Sequence, residues 1–280
     1  MHIFKTINKT HQFVVTARKK GKTIGFVPTM GALHEGHLQL MRQAKQENDL
    51  LVVSIFVNPI QFNNPEDLNK YPRVLEKDLE LLRSVNCDLV FTPSAQEMYP
   101  VPPTETFDFG PLEHVMEGAF RPGHFNGVAI VVKKLFEITE PHKAYFGEKD
   151  YQQLAIIEKL VVQQHFPISI IPCAIVREKD GLAMSSRNTR LSPEERSIAP
   201  EIYRILQEVA NKANQLDVAE LQSWGYQQFK EIKAFEIEYF ELADDQHLQP
   251  IDKKNEQLGI RAFVALKLGQ VRLIDNIRII

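Results

Sequence analysis

Thr23-Ile24-Gly25-Phe26-Val27-Pro28-Thr29-Met30-Gly31-Ala32-Leu33-His34-Glu35-Gly36-His37 is the stretch on which the fold turns. Thr23 to Val27 reads as a first strand. Pro28 and Gly31 mark a turn, and Leu38, Leu40, Met41 and Ala44 beyond it recur at helical spacing. A strand that turns through glycine into a helix is the opening unit of a βα alternation. Its helix N-terminus presents unpaired N–H groups and the positive end of a dipole, which attracts phosphate.

Outward from this unit the alternation continues. Leu50 to Val57 is nearly all apolar, as a strand of a parallel sheet covered on both faces should be. Val74 to Ser84 reads as a helix with Leu75, Leu79 and Leu82 on one stripe, and Asp88 to Phe91 as a short strand. Val128, Val131, Val132, Leu135 and Phe136 form another helical stripe. Ala144 to Phe146 is a strand, Gln152 to Gln164 a helix, and Ile168 to Ile171 a strand. The pattern predicts an α/β domain over residues 1–176, a Rossmann-like doubly wound parallel sheet. Ligands of such sheets bind beyond the carboxyl ends of the strands, where strand order reverses.

After residue 176 the character changes. Ser192-Pro193-Glu194-Glu195 carries an N-cap serine, a proline at the first helical position and a glutamate three residues after the cap. Leu221 to Phe229 reads as helix, and Ile237 to Leu242, Arg261 to Leu268 and Val271 to Ile274 as strands. Gly269-Gln270 between the last two is a hairpin turn with glycine first. Residues 177–280 are therefore expected to form a second, smaller α+β domain, closely packed on the first.

Composition narrows the functional classes. The 280 residues are 44% hydrophobic and 25% charged, with 33 Lys plus Arg against 36 Asp plus Glu and a net charge of −3. The longest basic run, Arg18-Lys19-Lys20, is too little for a nucleic-acid surface, whose binding energy comes from many phosphate contacts. No apolar stretch reaches the length of a bilayer span, and Met1-His2-Ile3-Phe4-Lys5 lacks a signal-peptide pattern, so a cytoplasmic chain with no membrane partner is expected. Cys87 and Cys173 read as buried free thiols, without disulfide or Cys-x-x-Cys metal spacing.

Two constellations carry chemistry. His34 and His37 stand three apart near the predicted helix start, so both imidazoles can face a phosphate and steady charge during nucleotidyl transfer. The same spacing suits a metal pair or two surface histidines, but no further ligand stands at a metal-site spacing. G-x-G-x-x-G and Walker A are both absent from this turn, which argues against a dinucleotide cofactor and a P-loop. The second is Arg177-Glu178-Lys179-Asp180-Gly181-Leu182-Ala183-Met184-Ser185-Ser186-Arg187-Asn188, whose hydroxyls and arginine suit a loop over a polyphosphate. Taken alone it is a polar loop before a helix.

Together, a His-x-Gly-His motif at the first helix and a later Met-Ser-Ser-Arg loop resemble the signature pair of the nucleotidyltransferase superfamily. Pro28 to Leu38, Phe56 to Phe62, Asp67 to Arg73, Phe120 to Val128, Phe146 to Gln153 and Arg177 to Asn188 resemble the pantothenate synthetase family, in family order. Arg272-Leu273-Ile274-Asp275-Asn276 extends the likeness into the C-terminal third. Ile130, His142 and Phe120 depart from the family's usual residues, none at a proposed contact.

The resemblance implies ATP-dependent joining of pantoate to β-alanine through a pantoyl adenylate, with Mg²⁺ on the nucleotide and a homodimeric enzyme. Met30, Gly31, Ala32, Leu33, His34, Glu35, Gly36 and His37 would hold ATP, with the histidines on its phosphates. Gly147, Glu148, Lys149 and Asp150 would add a phosphate-binding lysine and a ribose contact, and Val176 an adenine contact. Met184, Ser185, Ser186 and Arg187 would close on the phosphates. His34, His37, Lys149, Ser185, Ser186 and Arg187 form the implied catalytic set. Gln61, Gln153, Asn58 and Tyr71 would bind pantoate or β-alanine, and the Gln61-to-Arg73 segment would lid that pocket. The rivals are a plain adenylyltransferase or reduced tRNA synthetase, and a silent nucleotide-binding module. Gln61 and the Gln152-Gln153 pair have no evident purpose in the former, nor the full catalytic set in the latter.

Overall fold

Ile24–Thr29 is a central strand of a six-stranded sheet in the computed structural model, which describes residues 1–254 and 258–280. The strands are β1 (His2–Phe4), β2 (Ile24–Thr29), β3 (Leu50–Ile55), β4 (Leu89–Phe91), β5 (Lys143–Gly147) and β6 (Ser169–Cys173). They lie in the order β1-β4-β3-β2-β5-β6, every pair parallel. The order reverses between β2 and β5, so the switch point lies there.

Two differences from the sequence reading have physical causes. β2 runs on through Pro28 and Thr29, whereas proline was expected to end it at Val27. Pro28 pairs with Ser54 on the β3 side, while pairing with β5 covers only Gly25 and Phe26. The missing proline N–H therefore costs no bond to β5. β1 was not anticipated: three residues at the sheet edge, paired to β4 from His2 to Phe4, are too few to show a two-residue period.

The helices over the sheet follow the predicted stripes. Glu35–Glu47 buries Leu38, Met41 and Ala44, and Leu75–Ser84 buries Leu79 and Leu82. With Val27, Leu51, Val53 and Val90 they make one core cluster. Each large side chain in it contributes about 1.5–3 kcal/mol on burial. His124–Thr139 buries nearly its whole length. Both cysteines are buried and free.

A second, antiparallel sheet has the order β7 (Phe235–Asp244), β8 (Ile260–Leu268) and β9 (Val271–Arg278). The helix Pro193–Ile198 begins with the predicted capping box. Ser192 Oγ accepts from the Glu195 N–H at 3.2 Å, and the Ser192 N–H donates to Glu195 Oε2 at 2.8 Å. Gly269 opens the β8–β9 turn with φ +58°, a left-handed conformation that glycine adopts without strain.

The chain forms two compact units. One holds Met1–Phe109, Arg121–Glu148 and Gln153–Ala174; the other holds Gly110–Phe120, Lys149–Gln152 and Ile175–Ile280. Gly110–Phe120 is bound into the second by Glu117, which takes both terminal nitrogens of Arg272 at 2.7 and 2.8 Å and the Tyr239 hydroxyl at 2.7 Å. No helix among the described residues is long and apolar enough to cross a membrane.

Candidate active site

In the first unit, the turn leaving β2 carries the first constellation. Gly31 has φ +82° and Ala32 φ +49°. An alanine adopts this left-handed bend only under constraint. The constraint is Asp78, which is 1% exposed and accepts the Ala32 N–H at 2.9 Å and the Leu33 N–H at 2.8 Å. Burial pushes the Asp78 carboxyl up, and the two N–H bonds oppose that rise.

The bend delivers His34 to the N-cap of the helix Glu35–Glu47. The His34 N–H donates to His37 Nδ1 at 3.3 Å. Neutral His37 therefore carries its proton on Nε2. The two rings lie 4.0 Å apart, centroid to centroid. Met30, Gly31, Ala32, Leu33, Glu35 and Gly36 thus surround a helix N-terminus at the carboxyl end of β2, beside the switch point. Gly147 and Glu148 follow at the carboxyl end of β5, the other strand at that point.

Beyond β3, Asn58 and Gln61 are buried, 1% and 9% exposed. Asn58 Nδ2 donates to Gln61 Oε1 at 3.0 Å and to the Gly127 carbonyl at 3.1 Å. Gln61 Nε2 then lies 3.3 Å from Met30 Sδ, which brings this amide onto the β2 turn. The Gln61 carbonyl meets His124 Nδ1 at 2.9 Å. A Cβ on Gly127 would stand 2.6 Å from the Ile60 carbonyl oxygen and 2.8 Å from Gln61 Cα. Gly127→Ala is therefore expected to overpack this contact and cost about 1–3 kcal/mol, read as a lower urea midpoint at unchanged slope. Tyr71 is buried, with its ring edge-on to Phe62 at 5.8 Å, while Arg73 is exposed and donates to the Leu68 carbonyl at 3.2 Å. Gln153, half-buried, lies in the first turn of the helix Tyr151–Gln163.

In the second unit, Lys149 and Asp150 occupy the 3-10 turn before that helix, with Lys149 Nζ 3.9 Å from Asp150 Oδ1. The Lys149 carbonyl accepts from Asn276 Nδ2 at 3.0 Å. Val176 to Met184 folds into a tight hairpin: the Met184 N–H donates to the Val176 carbonyl at 3.0 Å, and Arg177 bridges Ala183. Arg177 grips Asp275 with two bonds of 2.6 and 3.0 Å while its guanidinium stacks 3.7 Å from the Tyr203 ring centre. Ser185 Oγ caps the turn Ser186–Arg190 by accepting the Arg187 N–H at 3.2 Å. Met184, Ser185, Ser186 and Arg187 thus ride on a hairpin fixed at its base by Asp275.

A family model described as pantoate-beta-alanine ligase matches residues 2–278. The chain belongs to that family. Pantothenate synthetase from Porphyromonas gingivalis W83 is 48% identical over 278 residues, 99% of each chain. That of Christiangramia forsetii is 50% identical over 280 residues, again 99% of each. Among solved structures, pantothenate synthetase from Thermus thermophilus matches with TM-score 0.93 at 42% identity, covering 100% of this chain and 99% of that one. Pantoate-beta-alanine ligase from Francisella tularensis, complexed with beta-gamma ATP and beta-alanine, matches with TM-score 0.83 at 38% identity, covering 99% and 97%.

Three residues that hold this ligase's first-unit set together went unread in the sequence. Asp78 had a signal: it lies three after Leu75 and four before Leu82, a lone carboxylate on an apolar helix face. His124 lies inside a run that resembles the family but had no assigned role. Tyr99 gave no signal, because its contact to Asn58 spans 41 residues.

Proposed function

We propose that this chain joins pantoate to β-alanine with ATP, through an enzyme-bound pantoyl adenylate. The contact that supports the reading is Gln61 Nε2 at Met30 Sδ, 3.3 Å, which joins the amide proposed to bind the acid to the turn proposed to bind ATP. A pantoate oxygen held by Gln61 and Gln153, with Asn58 and Tyr71 supporting, then lies beside the nucleotide that Met30, His34 and His37 bind. Lys149, Asp150, Val176, Met184, Ser185, Ser186 and Arg187 serve the same ATP.

A pantoate carboxylate oxygen attacks the α-phosphorus, the bond to the bridging oxygen breaks, and pyrophosphate leaves. The neutral amine of β-alanine then attacks the acyl carbon, the carbon–oxygen bond to AMP breaks, and the amine loses a proton. The attacking oxygen is already anionic, so no protein nucleophile is needed. The protein aligns the reactants and neutralises phosphate charge through His37 Nε2–H, Lys149 and Arg187. Mg²⁺ arriving with the nucleotide would add positive charge at the phosphates, beside the donors His37, Lys149 and Arg187. The Met184–Asn188 and Gln61–Arg73 segments shield the adenylate from hydrolysis.

Pantoate labelled with ¹⁸O in its carboxylate tests this route. One labelled oxygen should appear in AMP and one should remain in the amide. Label in inorganic phosphate, or none in AMP, contradicts it. The reading extends to a cytoplasmic homodimer, for which sedimentation should give the mass of two chains.

A further inference from the structure

The amides of Asn58 and Gln61 are polar in one direction, and the direction is set by groups outside them. The Gly127 carbonyl can only accept, so the end of Asn58 that faces it at 3.1 Å is the nitrogen. The second N–H of that nitrogen donates to Gln61 at 3.0 Å, so the Gln61 atom it meets is the oxygen. Gln61 is left with its nitrogen toward Met30 Sδ, a weak acceptor that leaves the amide N–H groups largely uncommitted. The remaining polar atom of Asn58, its Oδ1, accepts from the Tyr99 hydroxyl at 3.0 Å. Asn58 is 1% exposed, so this oxygen has little access to water. Tyr99 itself is half-buried, tilted against Phe56 at 6.0 Å and with Lys134 Nζ 5.7 Å from its ring centre.

We propose that Tyr99 is a positioning residue that locks Asn58, and through it Gln61, so that Gln61 meets pantoate as a hydrogen-bond donor. The inference rests on the chain acting as a pantoate–β-alanine ligase. It implies that the pantoate atom at Gln61 is an acceptor oxygen, and that selectivity for a hydroxy acid depends on a residue that does not touch it. Without the Tyr99 hydroxyl, the Asn58 oxygen is a buried acceptor without its partner. The side chain relieves this by rotating, and Gln61 loses the bond that fixes its orientation.

The test is a double-mutant cycle on kcat/KM for pantoate at saturating ATP, with the KM for ATP and the melting temperature measured alongside. Tyr99→Phe should lower kcat/KM for pantoate about tenfold, the size of one hydrogen bond, and leave the KM for ATP within about twofold. In a Gln61→Ala background the same change should have an effect below about twofold, because the group it acts through is gone. Equal losses in both backgrounds, or parallel losses for ATP and pantoate with a lower melting temperature, would overturn the proposal and leave Tyr99 a packing residue. An active wild-type enzyme indifferent to Tyr99→Phe overturns the role of Tyr99 alone. A wild-type chain that consumes no ATP with pantoate overturns the underlying reading and this proposal with it.

Discussion

His37→Ala is expected to slow pantoate-dependent pyrophosphate release by about 10²–10³-fold, the loss seen when one fixed donor to a developing oxyanion is removed. The geometry gives the reason. His37 Nδ1 accepts the His34 N–H at 3.3 Å, which fixes the tautomer whose proton sits on Nε2. Alanine removes that donor and a partner of the helix cap together. The cap loss should lower stability by only about 1 kcal/mol, so the variant stays folded and the rate can be read cleanly. Rapid-quench measurement of pyrophosphate with ATP and pantoate checks this. An unchanged rate would mean that His37 only caps the helix.

Asp275→Ala should lower the unfolding free energy by about 3–5 kcal/mol, because it strands the Arg177 guanidinium in a mostly buried position without a counter-charge. The side chains of Arg177 and Asp275 are 15% and 3% exposed, and their bonds measure 2.6 and 3.0 Å. Arg204, 45% exposed between Glu201 and Glu208, supplies the contrast. Removing it should change stability by less than about 1 kcal/mol, since water screens both charges. Urea denaturation of the two variants makes the comparison. Because Asp275 also fixes the base of the hairpin that carries Ser185 to Arg187, protease cleavage after Arg187 should quicken in Asp275→Ala and not in Arg204→Ala.

Much of this was legible in the sequence wherever one element announces itself locally. The strand–turn–helix around Gly31, the all-apolar β3, the helical stripe through Leu79 and Leu82 and the capping box at Ser192 each follow from a few neighbouring residues. Where the meaning of a residue depends on a distant partner, local reading fails. β1 is defined by pairing with β4, and Pro28 is tolerated because the pairing of β2 with β5 covers only Gly25 and Phe26. The candidate site divides the same way. His34 and His37 stand out by spacing, whereas Asp78 meets Ala32 across 46 residues and Tyr99 meets Asn58 across 41. Glu117 is the extreme case, a carboxylate in a short helix whose partner Arg272 is 155 residues away. Resemblance to a family pointed to the proposed catalytic set; the fold shows what holds several of its members in place.

The most direct test of adenylate chemistry omits β-alanine. The chain is mixed with ATP and Mg²⁺, with or without pantoate, and pyrophosphate is followed over time. Release should require pantoate and stop near one equivalent per chain, because the adenylate stays bound with no amine to discharge it. No pantoate-dependent release, or release at the same rate without pantoate, would contradict the account.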